Sequence, residues 1–251
     1  MKNLLKLLRD NAGQPRAPLN LVRRDTPTEA TLYLYDVIAD GWGISAMDFI
    51  SALANIDPAT QTLRLRVKSP GGDVMESRAI VTAMREFRSR GGKIIGQVDS
   101  VAASCASWIV LNATEVEIAD GAFLMIHKAS GGAWGTDVEL RQMADLITTL
   151  ENTIVTEYVN TTAQPEEQIR TWMAAETWFT AQEAVDNGFA TRIVSRLSEP
   201  PANLEKLSWN LSAYEHTPAP LLNLKPPAPQ VDVQAILENN QRRLRLLDLN
   251  A

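Results

Sequence analysis

Strand-like and helix-like stretches alternate between residues 29 and 196, and this alternation constrains the fold more than any other feature of the chain. Thr31-Leu-Tyr-Leu-Tyr35 and Leu63-Arg-Leu-Arg-Val67 repeat with period two, the spacing of side chains on opposite faces of a strand. Lys93 to Val98 gives a third strand. Between and after them, Met47–Ile56 and Val74–Phe87 place apolar residues at helical spacing. The longest helical pattern runs from Thr136 to about Asn160, with Leu140, Met143, Leu146, Ile147, Leu150, Ile154 and Val155 along one side. Strands interleaved with helices predict an α/β fold.

Charge and composition narrow the function classes. The 251 residues carry 24 Lys+Arg against 30 Asp+Glu, a net charge of -6, which opposes phosphate neutralisation and so argues against a nucleic-acid partner. A hydrophobic share of 45% is that of a globular chain able to bury a core. The single cysteine, Cys105, excludes an internal disulfide and a multi-cysteine zinc site. His127 and His216 are the only histidines, too few for a histidine-based metal centre, so no metal or cofactor is expected. No apolar run approaches the ~18 residues that span a bilayer, and the start MKNLLKLLRD turns charged where a signal peptide stays apolar. A soluble, cytoplasmic protein is expected.

The two ends differ from the middle. Residues 1–28 hold six basic and two acidic side chains, net +4, and read as a solvated basic arm or as a contact arm for an acidic partner. After Arg196, seven of the 13 prolines fall between Pro200 and Pro229, the composition of an extended linker. Val231–Leu249 then places Val233, Ile236, Leu237, Leu244, Leu247 and Leu249 on one side of an amphipathic helix. The organisation predicted is an arm at 1–28, a folded domain at 29–196, a linker at 197–230 and an interaction helix at 231–251. Catalysis is expected to be independent of everything after Arg196.

Chemistry concentrates in the middle. Ser104 lies among small residues, Ala102-Ala-Ser-Cys-Ala106, just after a strand. A tight strand-to-helix turn there would present its hydroxyl, with the Cys105 N–H aimed at a developing oxyanion. The alternative is a close-packed helix start with Ser100 or Ser104 as N-cap. Phe123-Leu-Met-Ile-His127 puts a histidine at the end of an apolar strand, where it serves either as a general base or as a hydrogen-bonded structural residue. Ser69-Pro-Gly-Gly-Asp73 and Gly131-Gly132 are turn sequences that also expose backbone N–H groups to an extended peptide.

In this order and spacing, Ser69-Pro-Gly-Gly72, Ala102-Ala-Ser104, Met125-Ile-His127 with Gly131-Gly132, and Phe179-Thr-Ala-Gln-Glu-Ala-Val185 with Gly188 resemble the proteolytic subunit of Clp protease. The resemblance covers roughly residues 30 to 195 and extends to Clp-like head maturation proteases of tailed phages. It implies an α/β, crotonase-like fold of repeated ββα units, carrying here a proline-rich C-terminal extension. It also implies a serine endopeptidase with Ser104 as nucleophile, His127 as general base, and an acid just before Phe179. Clp subunits have aspartate there; this chain has Glu176, with Asp186 as the fallback. The backbone N–H groups of Gly72 and Cys105 would form the oxyanion hole, and Gly71, Gly131 and Gly132 would bind substrate. Protein or peptide substrates and a homo-oligomeric ring follow, without nucleic acid or membrane.

Clp subunits usually carry Met-Gly after the nucleophile, where this chain has Cys105-Ala106; the serine, not the cysteine, is aligned by the motif. Trp42-Gly43, Trp134-Gly135 and Glu176-Thr-Trp178 suit the phage-type branch, which implies processing of capsid or scaffold proteins in an infected bacterial cytoplasm, in association with the procapsid. Four alternatives remain open at this point. They are a degradation subunit fed by an ATPase, a Ser–Lys peptidase using Lys128, a hydratase-like crotonase, and a catalytically inactive capsid-assembly factor.

Overall fold

The period-two segments form strands and the amphipathic segments form helices in the computed structural model, which describes residues 4–11, 23–26, 28–195 and 209–222. The strands are β1 (Arg23–Thr26), β2 (Glu29–Leu34), β3 (Thr62–Ser69), β4 (Lys93–Ala103), β5 (Glu115–Ala119), β6 (Phe123–Ile126), β7 (Thr177–Thr180) and β8 (Arg192–Val194). The helices are α1 (Leu4–Asp10), α2 (Ala46–Leu53), α3 (Val74–Ser89), α4 (Cys105–Leu111), α5 (Asp137–Thr162), α6 (Glu166–Ala174) and α7 (Ala181–Asp186). The sheet order is β1-β2-β3-β4-β5-β8, parallel from β2 onward, and β6 joins β4 and β7 off this path. This is the α/β architecture that the strand–helix alternation predicts.

β4 is the strand that builds the site. Its first half, Ile95–Val98, pairs with β5, and its last residues, Val101–Ala103, pair with β6 instead. The β3 register shifts between Val67 and Ser69 to follow the same bend. The end of β4 therefore parts from β5, keeps Ala102 opposite Ser69 of β3, and carries the next residue, Ser104, alongside β6. β7 runs antiparallel to β6 with Ile126 opposite Thr177, so the residues just outside that pair, His127 and Glu176, are neighbours.

Helices α2 to α7 cover one face of the sheet. Leu32, Leu34, Leu63, Leu65, Phe49, Met84, Phe87, Trp108 and Phe189 belong to that core. α5 begins with a capping box between Thr136 and Glu139 and ends at Ala163 in the left-handed conformation, φ 57. Only its last part is buried, through Ile154, Val155, Tyr158 and Thr162.

The opposite face differs from the sequence expectation. Tyr33, Tyr35, Val37, Val101, Ala103 and Met125 project there and form a second core with Leu7, Trp209, Leu211, Ala213, Tyr214 and Leu221. An apolar second face must be covered, and both chain ends supply the cover. Within the basic arm, β1 extends the sheet by pairing antiparallel with β2, and α1 buries Leu7. Within the proline-rich segment, residues 209–222 are packed rather than extended. The expected helix Val231–Leu249 lies outside the described residues. Among the described residues, no helix is long and apolar enough to cross a membrane.

Candidate active site

Ser104 sits between β4 and α4 with φ 56 and ψ −129, a backbone region that non-glycine residues rarely occupy. Such strain, of order 1–3 kcal/mol, persists only where neighbours fix it. Here the Ser104 N–H donates to the Met125 carbonyl at 2.9 Å, and the Ser107 hydroxyl donates to the Ser104 carbonyl at 2.6 Å. Ser107 is in turn 2.8 Å from the Tyr158 hydroxyl of α5. The turn lifts the side chain clear of β4 and brings Ser104 Oγ within 2.8 Å of His127 Nε2.

His127 follows β6 directly. Burial holds its imidazole below the ordinary range, and the Glu176 carboxylate works in the opposite direction without cancelling it. The ring is therefore neutral at pH 7 and able to accept a proton. Lys128 does not share this site: its ammonium is exposed, 3.8 Å from Glu151 on α5.

Glu176 is buried at φ 48, close enough to act on His127, but its carboxylate oxygens accept hydrogen bonds from elsewhere. The donors are the backbone N–H groups of Glu215 at 3.1 Å and His216 at 2.8 Å, and the Trp178 indole at 3.3 Å. The fallback acid, Asp186, is not brought to the site; it is exposed at the end of α7 and accepts from Gln182 at 2.7 Å.

The glycine loop lies against the serine. Gly71 adopts φ 88, and a Cβ there would stand 2.6 Å from the Ala103 carbonyl oxygen and 2.7 Å from Ser104 Cβ. At Gly72 a Cβ would stand 2.0 Å from the Ile38 carbonyl oxygen, which accepts the Asp73 N–H at 2.7 Å. Asp73 caps α3 by accepting from Met75 and Glu76, which fixes the far end of the loop. The Cys105 N–H, first in α4, has no intrahelical acceptor. The Cys105 thiol itself is buried and pushed up to about 12 by desolvation, so it stays protonated and unreactive.

Between the two glycine loops lies a cavity of about 320 Å³. Ser104, His127, Gly72, Gly131 and Gly132 line it, with Met143, Leu146, Ile147 and Leu150 of α5 as an apolar wall. The site residues singled out from sequence thus converge, apart from Asp186 and Lys128. Sequence reasoning missed Leu7 and Tyr214, which line the same cavity from the chain ends. Among the described residues, no cluster of three or more His, Cys, Asp or Glu side chains is placed to hold a metal ion.

A strained serine after a parallel strand, hydrogen-bonded to a histidine beside a peptide-sized groove, defines a serine-hydrolase type of site. Residues 23–197 match the family model for Clp protease, and the chain belongs to that family, one of serine peptidases. It is 25% identical over 200 residues to the ATP-dependent Clp protease proteolytic subunit 2 of Bifidobacterium longum, covering 78% of this chain and 94% of that one. It is 28% identical to subunit 2 of Thermobifida fusca, with 57% and 70% covered, and 27% identical to subunit 3 of Rhodococcus jostii, with 68% and 84% covered. The family match ends before residues 209–222.

Proposed function

We propose that the chain is a serine endopeptidase in which Ser104 is the nucleophile, His127 the general base and Glu176 the acid. The observation that carries this reading is the 2.8 Å contact between Ser104 Oγ and a half-buried, neutral His127 Nε2 on the wall of a groove flanked by glycine loops. Peptide backbone would lie between the Gly71–Gly72 and Gly131–Gly132 loops. Ser104 Oγ attacks the scissile carbonyl as its proton passes to His127 Nε2, and the Gly72 and Cys105 N–H groups receive the oxyanion. His127 then protonates the leaving amine, and a water activated by the same nitrogen hydrolyses the acyl-enzyme. Glu176 acts on the imidazole through its charge, while its carboxylate accepts hydrogen bonds from the backbone of residues 215 and 216.

Capsid or scaffold proteins of a phage head are the proposed substrates, and a homo-oligomeric ring the proposed assembly. The Trp-Gly pairs at 42 and 134, with Glu176-Thr-Trp178, are the features that suit the phage-type branch. The other reading, a degradation subunit working with an ATPase, is favoured by the names of the relatives. Ser104→Ala should remove about 10⁶ in kcat for a peptide substrate while the fold and assembly persist. Substantial hydrolysis by that variant would defeat the nucleophile assignment. Cleavage of a folded capsid or scaffold precursor without ATP favours processing; a strict need for an ATP-driven unfoldase favours degradation.

A further inference from the structure

We propose that residues 209–222 are a built-in part of this active site, with Tyr214 the positioning residue that holds the glycine loop and His127 in place. The proposal rests on the serine-peptidase reading above. The strap is anchored along its length. Trp209 and Leu211 are buried in the second core, and Lys68 Nζ lies 5.6 Å above the Trp209 ring. Asn11 and Asn210 exchange side-chain and backbone hydrogen bonds at 3.1 and 2.7 Å, and Lys6 donates to Ser212 at 2.6 Å. Thr217 donates to the Leu211 carbonyl at 3.0 Å and closes the segment on itself.

Three consecutive strap residues then reach the Pro70 turn, His127 and Glu176. The buried Tyr214 phenol donates to the Pro70 carbonyl, whose peptide leads into Gly71 beside Ser104. Its ring meets the His127 imidazole edge-on, with centroids 5.5 Å apart and planes at 83°. The next two N–H groups, of Glu215 and His216, hold the Glu176 carboxylate. A Pro-Gly-Gly loop is conformationally soft, and oxyanion donors act only if held in place before the reaction. Tyr214 supplies that restraint from outside the residues matched to the family.

The strap is a wall and not a plug. Ser104 and Tyr214 line the same 320 Å³ cavity, and the Ser104–His127 contact is intact at 2.8 Å with the strap in place. The proposal is the opposite of the expectation that catalysis is independent of everything after Arg196.

Full-length Tyr214→Phe and Tyr214→Ala test this, read as kcat, KM and pH profile on a small peptide ester, alongside fluorophosphonate labelling. The groups around His127 besides Tyr214 are the Glu176 carboxylate, Asp73 on the cavity wall, Lys128 turned toward Glu151, and the exposed Glu215 and His216 side chains. Neither substitution alters them. Tyr214→Phe keeps the ring and loses the hydroxyl, so kcat should fall about tenfold with KM within about twofold and the pH profile unchanged. Tyr214→Ala should lower kcat about a hundredfold and move the acid limb upward, because water reaches the imidazole. Wild-type kcat and pH profile in both variants would overturn the proposal. So would a rise in kcat for Tyr214→Ala, which would show the strap to be a blocking segment. Failure of the wild-type protein to label at Ser104 would instead overturn the serine-peptidase reading on which the proposal stands.

Discussion

Gly71→Ala isolates the close approach on which the site geometry depends, and Gly121→Ala is its control. Both glycines have positive φ, +88 and +76, so each alanine incurs the left-handed penalty of about 1–2 kcal/mol. At Gly121, in the turn between β5 and β6, the new Cβ meets nothing within 4 Å, and the loss should end there. At Gly71 the same atom falls 2.6 Å from the Ala103 carbonyl oxygen and 2.7 Å from Ser104 Cβ, distances at which something must shift. Neither neighbour is the end of a flexible side chain, so overpacking adds about 1–3 kcal/mol, and the total reaches about 2–5 kcal/mol. At ~2–4 °C per kcal/mol for a chain of this size, Gly121→Ala should melt a few degrees early and Gly71→Ala considerably earlier. The displaced atoms belong to the Ser104 turn, so Gly71→Ala should also lose about a hundredfold in peptide hydrolysis at a temperature where it is fully folded. Gly121→Ala should keep wild-type activity. Denaturant titrations at fixed protein concentration give the first comparison and initial rates the second. Equal stability and full activity in both variants would refute the close-approach argument.

Three further predictions concern titration and thiol chemistry. Burial lowers the His127 pKa, and the base works when neutral, so hydrolysis should persist into mildly acidic solution and vanish only as pH falls through that lowered value. An acid limb of kcat/KM at or above ~6.5 would contradict this. Glu176→Gln removes the charge that raises the His127 pKa, so its limb should move further down while kcat falls; an upward move would place the dominant influence elsewhere. Iodoacetamide at neutral pH should leave activity intact, because the Cys105 thiol is buried and pushed up to about 12. Rapid inactivation with alkylation of Cys105 would reverse the assignment of nucleophile.

The α/β order was legible because period-two strands are local signals, whereas the Ser104–His127 pairing was legible through the resemblance to Clp subunits. The helical pattern read from Thr136 begins where the structure has a capping box between Thr136 and Glu139. The cover of the second face was not legible in the same way. Tyr33 and Tyr35 occupy the alternate positions of β2, and their aromatic character was the available sign that this face is also buried. Trp209, Leu211 and Ala213 alternate within a stretch whose prolines suggested a linker, so composition masked a short period-two signal. The relation of Glu176 to residues 215 and 216 spans about 40 positions, and no local pattern announces such a pairing. The extra methylene of glutamate relative to aspartate fits this arrangement, in which the carboxylate bonds to the strap and reaches the imidazole through its charge.

The most direct test of the central claim is mass-spectrometric mapping of a fluorophosphonate adduct on the wild-type protein. The account predicts a single phosphonylated residue, Ser104, with labelling lost in Ser104→Ala and strongly slowed in His127→Ala. An adduct on another residue, or peptide hydrolysis by a protein in which Ser104 remains unlabelled, would contradict it.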